Sequence, residues 1–110
     1  MNENIKELID KYPIELRELY NQIRAIVYDS VSLDIEEKLW AKLPSYYVGD
    51  FFVRLIPFKD HINIEASGIA LHMGELDDYK ITPKGMLQIY INQKVPSDVL
   101  KQIFAETLDK

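Results

Sequence analysis

The chain has 110 residues, 47% of them hydrophobic, and a formal net charge of -5 at pH 7. This length fits one domain, residues 1–110, built around a single hydrophobic core. The absence of cysteine excludes disulfides, thiolate zinc sites and a thiol nucleophile. The excess of acidic residues opposes general attraction to nucleic-acid phosphates or anionic lipids. No apolar run approaches the roughly 20 residues that span a bilayer, and the polar N-terminus is unlike a secretory signal, so we expect a cytoplasmic protein.

Apolar residues at helical spacing predict two leading helices. The first carries Ile5, Leu8, Ile9 and Tyr12. Pro13 then fits the first position of the second helix, because its missing N–H has no partner there in any case. The apolar stripe of the second helix consists of Leu16, Leu19, Tyr20, Ile23, Ile26 and Val27. Turn-type residues over 30–34 predict that the chain reverses there.

The central part of the sequence has the period of two that is typical of strands. The alternation begins at Glu37 and predicts one strand that runs until Pro44 interrupts it. Gly49-Asp50 predicts a tight hairpin, because glycine adopts the positive φ that a type II′ turn requires at its first position. A second reversal at Lys59-Asp60 leads into a strand over residues 61–66.

The last third of the chain alternates between helical and strand patterns. A short helix is predicted around Ile69, Met73 and Leu76, followed by a loop over residues 77–85. A strand over residues 86–91 has Leu87, Ile89 and Ile91 on one side, and a final helix begins around Pro96-Ser97. The expected fold class is α+β, a two-layer sandwich with an antiparallel sheet and helices on one of its faces.

The two predicted hairpins divide the strand residues between two faces of the sheet. One face is uniformly apolar and is expected beneath the helices: Tyr46, Val48, Phe51, Val53, Leu55, Ile62, Ile64 and Ala66. The other, which we call the open face, is aromatic and polar: Lys38, Trp40, Lys42, Ser45, Tyr47, Phe52, Arg54, Ile56, Phe58, His61, Asn63 and Glu65. Arg54 falls opposite Glu65, which predicts a cross-strand ion pair. So many rings suggest a docking surface, unless long basic side chains or a loop cover them.

Clustered carboxylates are the best metal-ligating candidates in the sequence. Glu3, Glu7 and Asp10 share one face of the first helix, while Asp34, Glu36 and Glu37 precede the first strand. Hard cations prefer oxygen ligands, and ferrous iron accepts carboxylates, although such clusters are also typical of ordinary solvated surfaces. His61 and His72 form no paired zinc motif, and no serine lies in a nucleophile motif. An enzymatic alternative would assemble its site from His61, Glu65 and Arg54.

Several segments together carry a family resemblance that covers nearly the whole chain: residues 39–46, 57–62, 79–80, 84–89 and 95–96. In order and spacing they resemble the YdhG-like family of small bacterial proteins, largely a domain of unknown function that includes a frataxin-like intracellular iron chaperone. The resemblance implies a helix-covered antiparallel sheet, no catalytic residues, and delivery of ferrous iron (Fe²⁺) to iron–sulfur or haem assembly proteins. Independently of the resemblance, we expect a monomer rather than an oligomer.

The same resemblance implies roles for particular residues. An acidic ridge of Glu3, Glu7, Asp10, Asp34, Glu36 and Glu37 would hold the iron. A partner protein would meet the open face at Lys38, Trp40, Lys42, Tyr47, Phe52, Arg54, Phe58 and His61. The alternative hypothesis is a metal-free module that binds a protein or a small ligand through that open face.

Overall fold

Apolar side chains that alternate along the strands meet the apolar stripes of two helices, and this contact organises the fold. In the computed structural model, which describes residues 1–110, the helices are α1 (Glu3–Ile9), α2 (Ile14–Ser30) and α3 (Ser97–Leu108). The strands are β1 (Glu36–Trp40), β2 (Leu43–Val48), β3 (Phe51–Pro57), β4 (His61–Glu65), β5 (Lys80–Ile81) and β6 (Leu87–Tyr90). They form one antiparallel sheet in the order β1-β2-β3-β4-β6-β5, which confirms the predicted two-layer α+β sandwich.

The hydrophobic core lies between the helices and the inner face of the sheet, and it forms one cluster of 22 buried residues. The sheet contributes Tyr46, Val53, Leu55, Ile62, Ile64, Leu87 and Ile89. The stripe of α2 contributes Leu16, Leu19, Tyr20, Ile23 and Val27, and α3 contributes Leu100, Ile103, Phe104 and Leu108. Phe51 departs from the prediction, because it lies at the end of its hairpin and is 41% exposed. None of the helices is long and apolar enough to cross a membrane.

The strand predicted from Glu37 to Pro44 is wrong in one respect, because the chain turns back within it. Ala41 and Lys42 have φ angles of +49° and +67°, and Trp40 pairs with Leu43. Two successive residues at positive φ are typical of a type I′ hairpin, which usually contains asparagine and glycine. Lys42 therefore lies in a turn and not on the open face, contrary to the prediction.

The register of the next two hairpins is as predicted. Gly49 has a φ of +61° and the pair Val48–Phe51 closes the first hairpin. In the second hairpin Arg54 lies opposite Glu65, and their side chains form the predicted ion pair at 3.2 Å. The sheet therefore has the predicted open face, because alternate residues of β1 to β4 project away from the helices.

Three smaller differences occur after β4. The short helix predicted around residues 69–76 consists of two 3-10 turns, Ser67–Leu71 and Met73–Glu75. The loop predicted over residues 77–85 contains β5, which pairs with β6. Ile91 was expected on the same side of the strand as Leu87 and Ile89, which are buried, but β6 ends at Tyr90 and Ile91 is 40% exposed. Short elements of two to five residues have too little periodicity for a sequence pattern to define them.

The segment Ser67–Leu71 packs closely against α3 at Gly68. The Gly68 N–H donates a hydrogen bond to Thr107 Oγ1 at 2.9 Å, and Thr107 in turn donates to the Ile103 carbonyl at 2.7 Å. A Cβ atom added at position 68 would lie 2.5 Å from the Ile103 carbonyl oxygen and 2.9 Å from Thr107 Oγ1. Only glycine permits this approach of two backbones.

We therefore predict that Gly68→Ala lowers the free energy of unfolding by about 1–3 kcal/mol, because the added methyl group overpacks the contact with α3. Urea denaturation measures the loss. Gly74→Ala is the matched control, since a Cβ there meets no atom within 4 Å, and its midpoint should stay close to that of the wild type. Equal midpoints for the two variants would contradict the proposed close approach.

Candidate functional site

Arg54 is the centre of the open face. Arg54 is only 6% exposed, although its side chain points away from the hydrophobic core. The guanidinium donates hydrogen bonds to Ser45 Oγ at 2.8 Å, to Glu65 Oε1 at 3.2 Å and to Tyr47 Oη at 3.1 Å. A charge with so little access to water is tolerated when it is paired and hydrogen-bonded, as it is here. Arg54 thus joins β2, β3 and β4 across the open face.

Aromatic rings pack on this guanidinium. The ring of Trp40 lies 4.2 Å and that of Phe52 lies 4.0 Å from the Arg54 Cζ atom, within the range of cation–π attraction. On the neighbouring strand Lys38 Nζ lies 4.9 Å from the Tyr47 ring. Basic side chains do contact the rings, but Trp40 remains 52% exposed. The open face therefore offers a large accessible ring held in a fixed place.

A second aromatic group lies at the opposite end of the open face. The His61 ring stacks between Phe58 and Tyr90, with centroid distances of 4.5 Å and 4.7 Å. His61 and Tyr90 are cross-strand partners on β4 and β6, and His61 Nδ1 lies 2.8 Å from Asp60 Oδ1. Phe58 is 42% exposed. These contacts hold the His61 ring in a stack and leave the Phe58 ring accessible.

Asn63 lies between the two aromatic groups and carries an unpaired acceptor. It is 9% exposed, and its Oδ1 atom has no hydrogen-bond partner. Its cross-strand neighbours are Ile56 and Gln88. A buried acceptor without a partner costs free energy. The sequence placed Asn63 on this face but gave no signal for its missing partner.

The residues of the enzymatic alternative are only partly brought together. Arg54 and Glu65 are in contact, whereas His61 is four residues from Glu65 along β4, roughly 13 Å by the rise of a strand. His61 is also held by Asp60 and by its stacking partners. This arrangement does not join a histidine to the arginine–carboxylate pair.

The carboxylates of the predicted acidic ridge lie mostly at the surface. Glu3 and Glu7 are exposed on α1, and Asp34 is exposed before β1. Asp10 pairs with Lys6 at 2.7 Å, and Glu36 pairs with Lys38 at 3.2 Å. No group of three or more histidine, cysteine, aspartate or glutamate side chains is arranged to hold a metal ion. The predicted metal site stays a prediction.

Glu37 has a structural environment that separates it from the other five. Its side chain is 8% exposed, and Arg24 contacts both carboxylate oxygens at 2.6 Å and 3.2 Å. The backbone N–H of Asn2 also donates to Oε1 at 2.7 Å. Burial alone would raise the pKa of Glu37, but the hydrogen bonds from Arg24 and Asn2 outweigh burial and lower it. Glu37 therefore ties the start of α1 and the middle of α2 to β1.

Two tyrosines extend this contact into the core. The hydroxyl groups of Tyr20 and Tyr46 lie 2.5 Å apart, and Tyr46 is the cross-strand partner of Glu37. Burial raises the pKa of both tyrosines well above the usual value, so both hydroxyls stay protonated. The ring of Tyr28 packs edge-on against Tyr46 at 5.9 Å, and the Arg24 guanidinium lies 4.7 Å from the Tyr28 ring.

His72, which carried little signal in the sequence, joins the 3-10 turns to α3. Its Nδ1 lies 2.7 Å from Glu75 Oε1 and its Nε2 lies 2.8 Å from Glu106 Oε2. Hydrogen bonds to Glu75 and to Glu106 raise the pKa of His72. Glu106 is 34 residues away in sequence, so no local pattern could reveal this bridge.

Comparison of the chain with protein-family models, with curated proteins and with solved structures gave no match. The fold class is thus defined by the structure itself, as an α+β sandwich with one face of its sheet uncovered. Membership in the YdhG-like family stays a prediction from the sequence.

We predict that Glu37→Gln lowers the free energy of unfolding by about 2 kcal/mol at pH 7, because it removes a charge that accepts several hydrogen bonds. The folded-state pKa of Glu37 lies below its ordinary value of 4.5. Its contribution is therefore present above about pH 4.5 and is lost as the pH falls through the folded-state pKa. The difference between variant and wild type should shrink in acid, as measured by chemical denaturation at several pH values.

Glu7→Gln is the control, because Glu7 is exposed and has no ion-pair or hydrogen-bond partner. Its stability should match the wild type at every pH. A Glu37→Gln variant as stable as Glu7→Gln at pH 7 would refute the structural role of Glu37.

Proposed function

We propose that this protein is a binding module that docks a partner protein on the open face of its sheet, without a requirement for metal. The observation that supports this proposal best is the pair of accessible rings, Trp40 at 52% and Phe58 at 42% exposure, on a face whose central Arg54 is held by three hydrogen-bond partners. The exposed face of an antiparallel sheet is usually polar, so large accessible rings on such a face indicate recognition.

The composition of the open face resembles that of a protein interface. Tryptophan, tyrosine, phenylalanine and arginine are enriched at the centres of interfaces, and tryptophan is among the residues whose truncation costs most binding energy. The Arg54 hydrogen bonds and ring contacts fix Phe52 and Trp40 in place before a partner arrives. Little side-chain entropy is then lost on binding, which favours affinity.

The test first identifies the partner and then measures its affinity. A photoreactive benzoylphenylalanine in place of Phe58 should crosslink the partner in cell extract, and the same residue in place of Ile14 should not. Ile14 lies at the start of α2 and is 53% exposed. With the purified partner, Trp40→Ala should weaken binding by about 2 kcal/mol or more in calorimetry, because truncation removes an anchor ring.

Ile14→Ala removes a similarly exposed apolar side chain from the helical layer and should leave the affinity unchanged. Circular dichroism of both variants controls for folding. A partner that binds the wild type and Trp40→Ala equally well, or that crosslinks equally from position 14, would refute docking on the open face.

Iron delivery is the second candidate function. It is supported by the family resemblance and by the carboxylates of Glu3, Glu7 and Asp34, which are exposed and have no ion-pair partner. Iron–sulfur or haem assembly proteins would then be the partners on the open face, and a monomer in the cytoplasm would be the working form. This candidate differs from the first because binding must depend on Fe²⁺.

We predict for this second candidate that anaerobic Fe²⁺ selectively broadens the NMR signals of residues 3–10 and 34–37, because paramagnetic ions relax nearby nuclei. Magnesium serves as the control cation. A joint variant Glu3→Gln, Glu7→Gln and Asp10→Asn should abolish the broadening. An equal response to magnesium, or an unchanged response of the joint variant, would refute the acidic ridge.

A further inference from the structure

A cavity of about 590 Å³ opens at one end of the sandwich, and Trp40 is not among the residues that line it. It lies where the β2–β3 hairpin meets the segment that follows β4, the turn at Gly85 and the end of α3. Its volume falls within the roughly 300–1,000 Å³ that is typical of small-molecule sites. It shares Phe52 and Glu65 with the open face and is otherwise separate from it.

The walls of this cavity are mainly apolar. Six hydrophobic residues line it: Phe51, Phe52, Ala66, Ile69, Ala70 and Met73. Phe51 and Met73 are 41% and 48% exposed, and both lie outside the open face. Their exposed apolar surface belongs to the wall of this cavity. Such walls favour a ligand that is largely apolar, because each ring or methyl group that enters removes apolar surface of both the ligand and the protein from water.

The wall that contains Ile69 and Met73 is fixed in place by polar contacts with α3. Gly68 is hydrogen-bonded to Thr107, and His72 bridges Glu75 and Glu106. Both contacts connect the segment to α3. This wall is therefore held in place before a ligand arrives, which lowers the entropic cost of binding.

The charged groups around the cavity favour an anion. Lys84 and Lys110 line it, and neither forms an ion pair with a carboxylate. Lys110 Nζ donates to Ser67 Oγ at 3.0 Å and lies 5.7 Å from the Phe51 ring. Of the two acidic lining residues, Glu65 is already paired with Arg54, which leaves Asp50 as the one without a cationic partner. With the Arg54–Glu65 pair counted as neutral, Lys84, Lys110 and Asp50 leave an excess of one positive charge at the cavity, in a chain of net charge -5.

We propose that this cavity binds a small carboxylate with an apolar body, whose carboxylate is held by Lys84 and Lys110 and whose body lies between Phe51 and Met73. A neutral ligand would gain the apolar contacts but would leave both ammonium groups without an anion. A cationic ligand would be repelled by them. The proposal does not depend on the function assigned to the open face.

The probe is 4-phenylbutyrate, compared with 4-phenylbutanol and 4-phenylbutylamine, which keep the same ring and chain. Residue-resolved NMR titration of the full chain should show saturable shifts at Phe51, Ile69, Ala70 and Met73 with the carboxylate. The alcohol should bind about tenfold more weakly, as expected from the loss of two partly exposed charge contacts, and the amine more weakly still.

Two sets of variants test the two parts of the site. Lys84→Gln with Lys110→Gln should weaken the carboxylate about tenfold and leave the alcohol unaffected, whereas Lys59→Gln with Lys94→Gln makes the same charge change elsewhere and should have no effect. Ala70→Trp should block all three probes, because its ring would fill the entrance, while Ala25→Trp on the exposed side of α2 should block none.

Several results would overturn the proposal. Shifts that do not saturate, or that are centred outside the cavity, would show that the cavity is not the site. Equal affinity for carboxylate and alcohol, or an unchanged affinity of the Lys84→Gln, Lys110→Gln variant, would refute the anionic class. Trp40 does not line the cavity, and neither lysine lies on the open face. Loss of partner binding in Trp40→Ala and loss of probe binding in the lysine variant are therefore separate outcomes.

Discussion

Burial of one sheet face beneath α2 and α3 is the constraint on which the rest of the structure depends. Val53 and Leu55 on β3 and Ile62 and Ile64 on β4 have no exposed surface, so their strands have one acceptable register. A slip by one residue would place Arg54 in the apolar core, where a charge without water is strongly disfavoured. The same constraint that builds the core therefore decides which side chains remain on the open face.

The open face in turn depends on how Arg54 is accommodated. A residue with 6% exposure and a permanent charge needs several acceptors, and Ser45, Tyr47 and Glu65 supply them from two neighbouring strands. These contacts use the polar groups at the centre of the face and leave the flanking rings as its accessible part. The hydrogen bonds that satisfy Arg54 and the exposure of the flanking rings are thus two results of one arrangement.

The sequence predicted the features that follow from periodicity and missed those that follow from local backbone geometry. The stripe of α2, the Gly49 hairpin and the Arg54–Glu65 pair all follow from spacing, and the structure contains each of them. The hairpin at Ala41 and Lys42 was missed because neither residue is a usual former of a turn with positive φ. Its existence depends on the pairing of β1 with β2, which supplies the free energy that two left-handed residues cost.

The six carboxylates of the predicted ridge show why site residues are harder to predict than elements. In sequence Glu36 and Glu37 are adjacent and chemically identical, but on a strand they point to opposite faces. Glu36 is exposed beside Lys38, whereas Glu37 is enclosed by Arg24 and the Asn2 N–H, both supplied by other elements. A carboxylate with both oxygens engaged is a poor metal ligand, since binding a cation would first require breaking those contacts. Contacts from other parts of the fold therefore decide which acidic side chains remain available to bind a metal ion. The amino-acid sequence does not reveal these contacts.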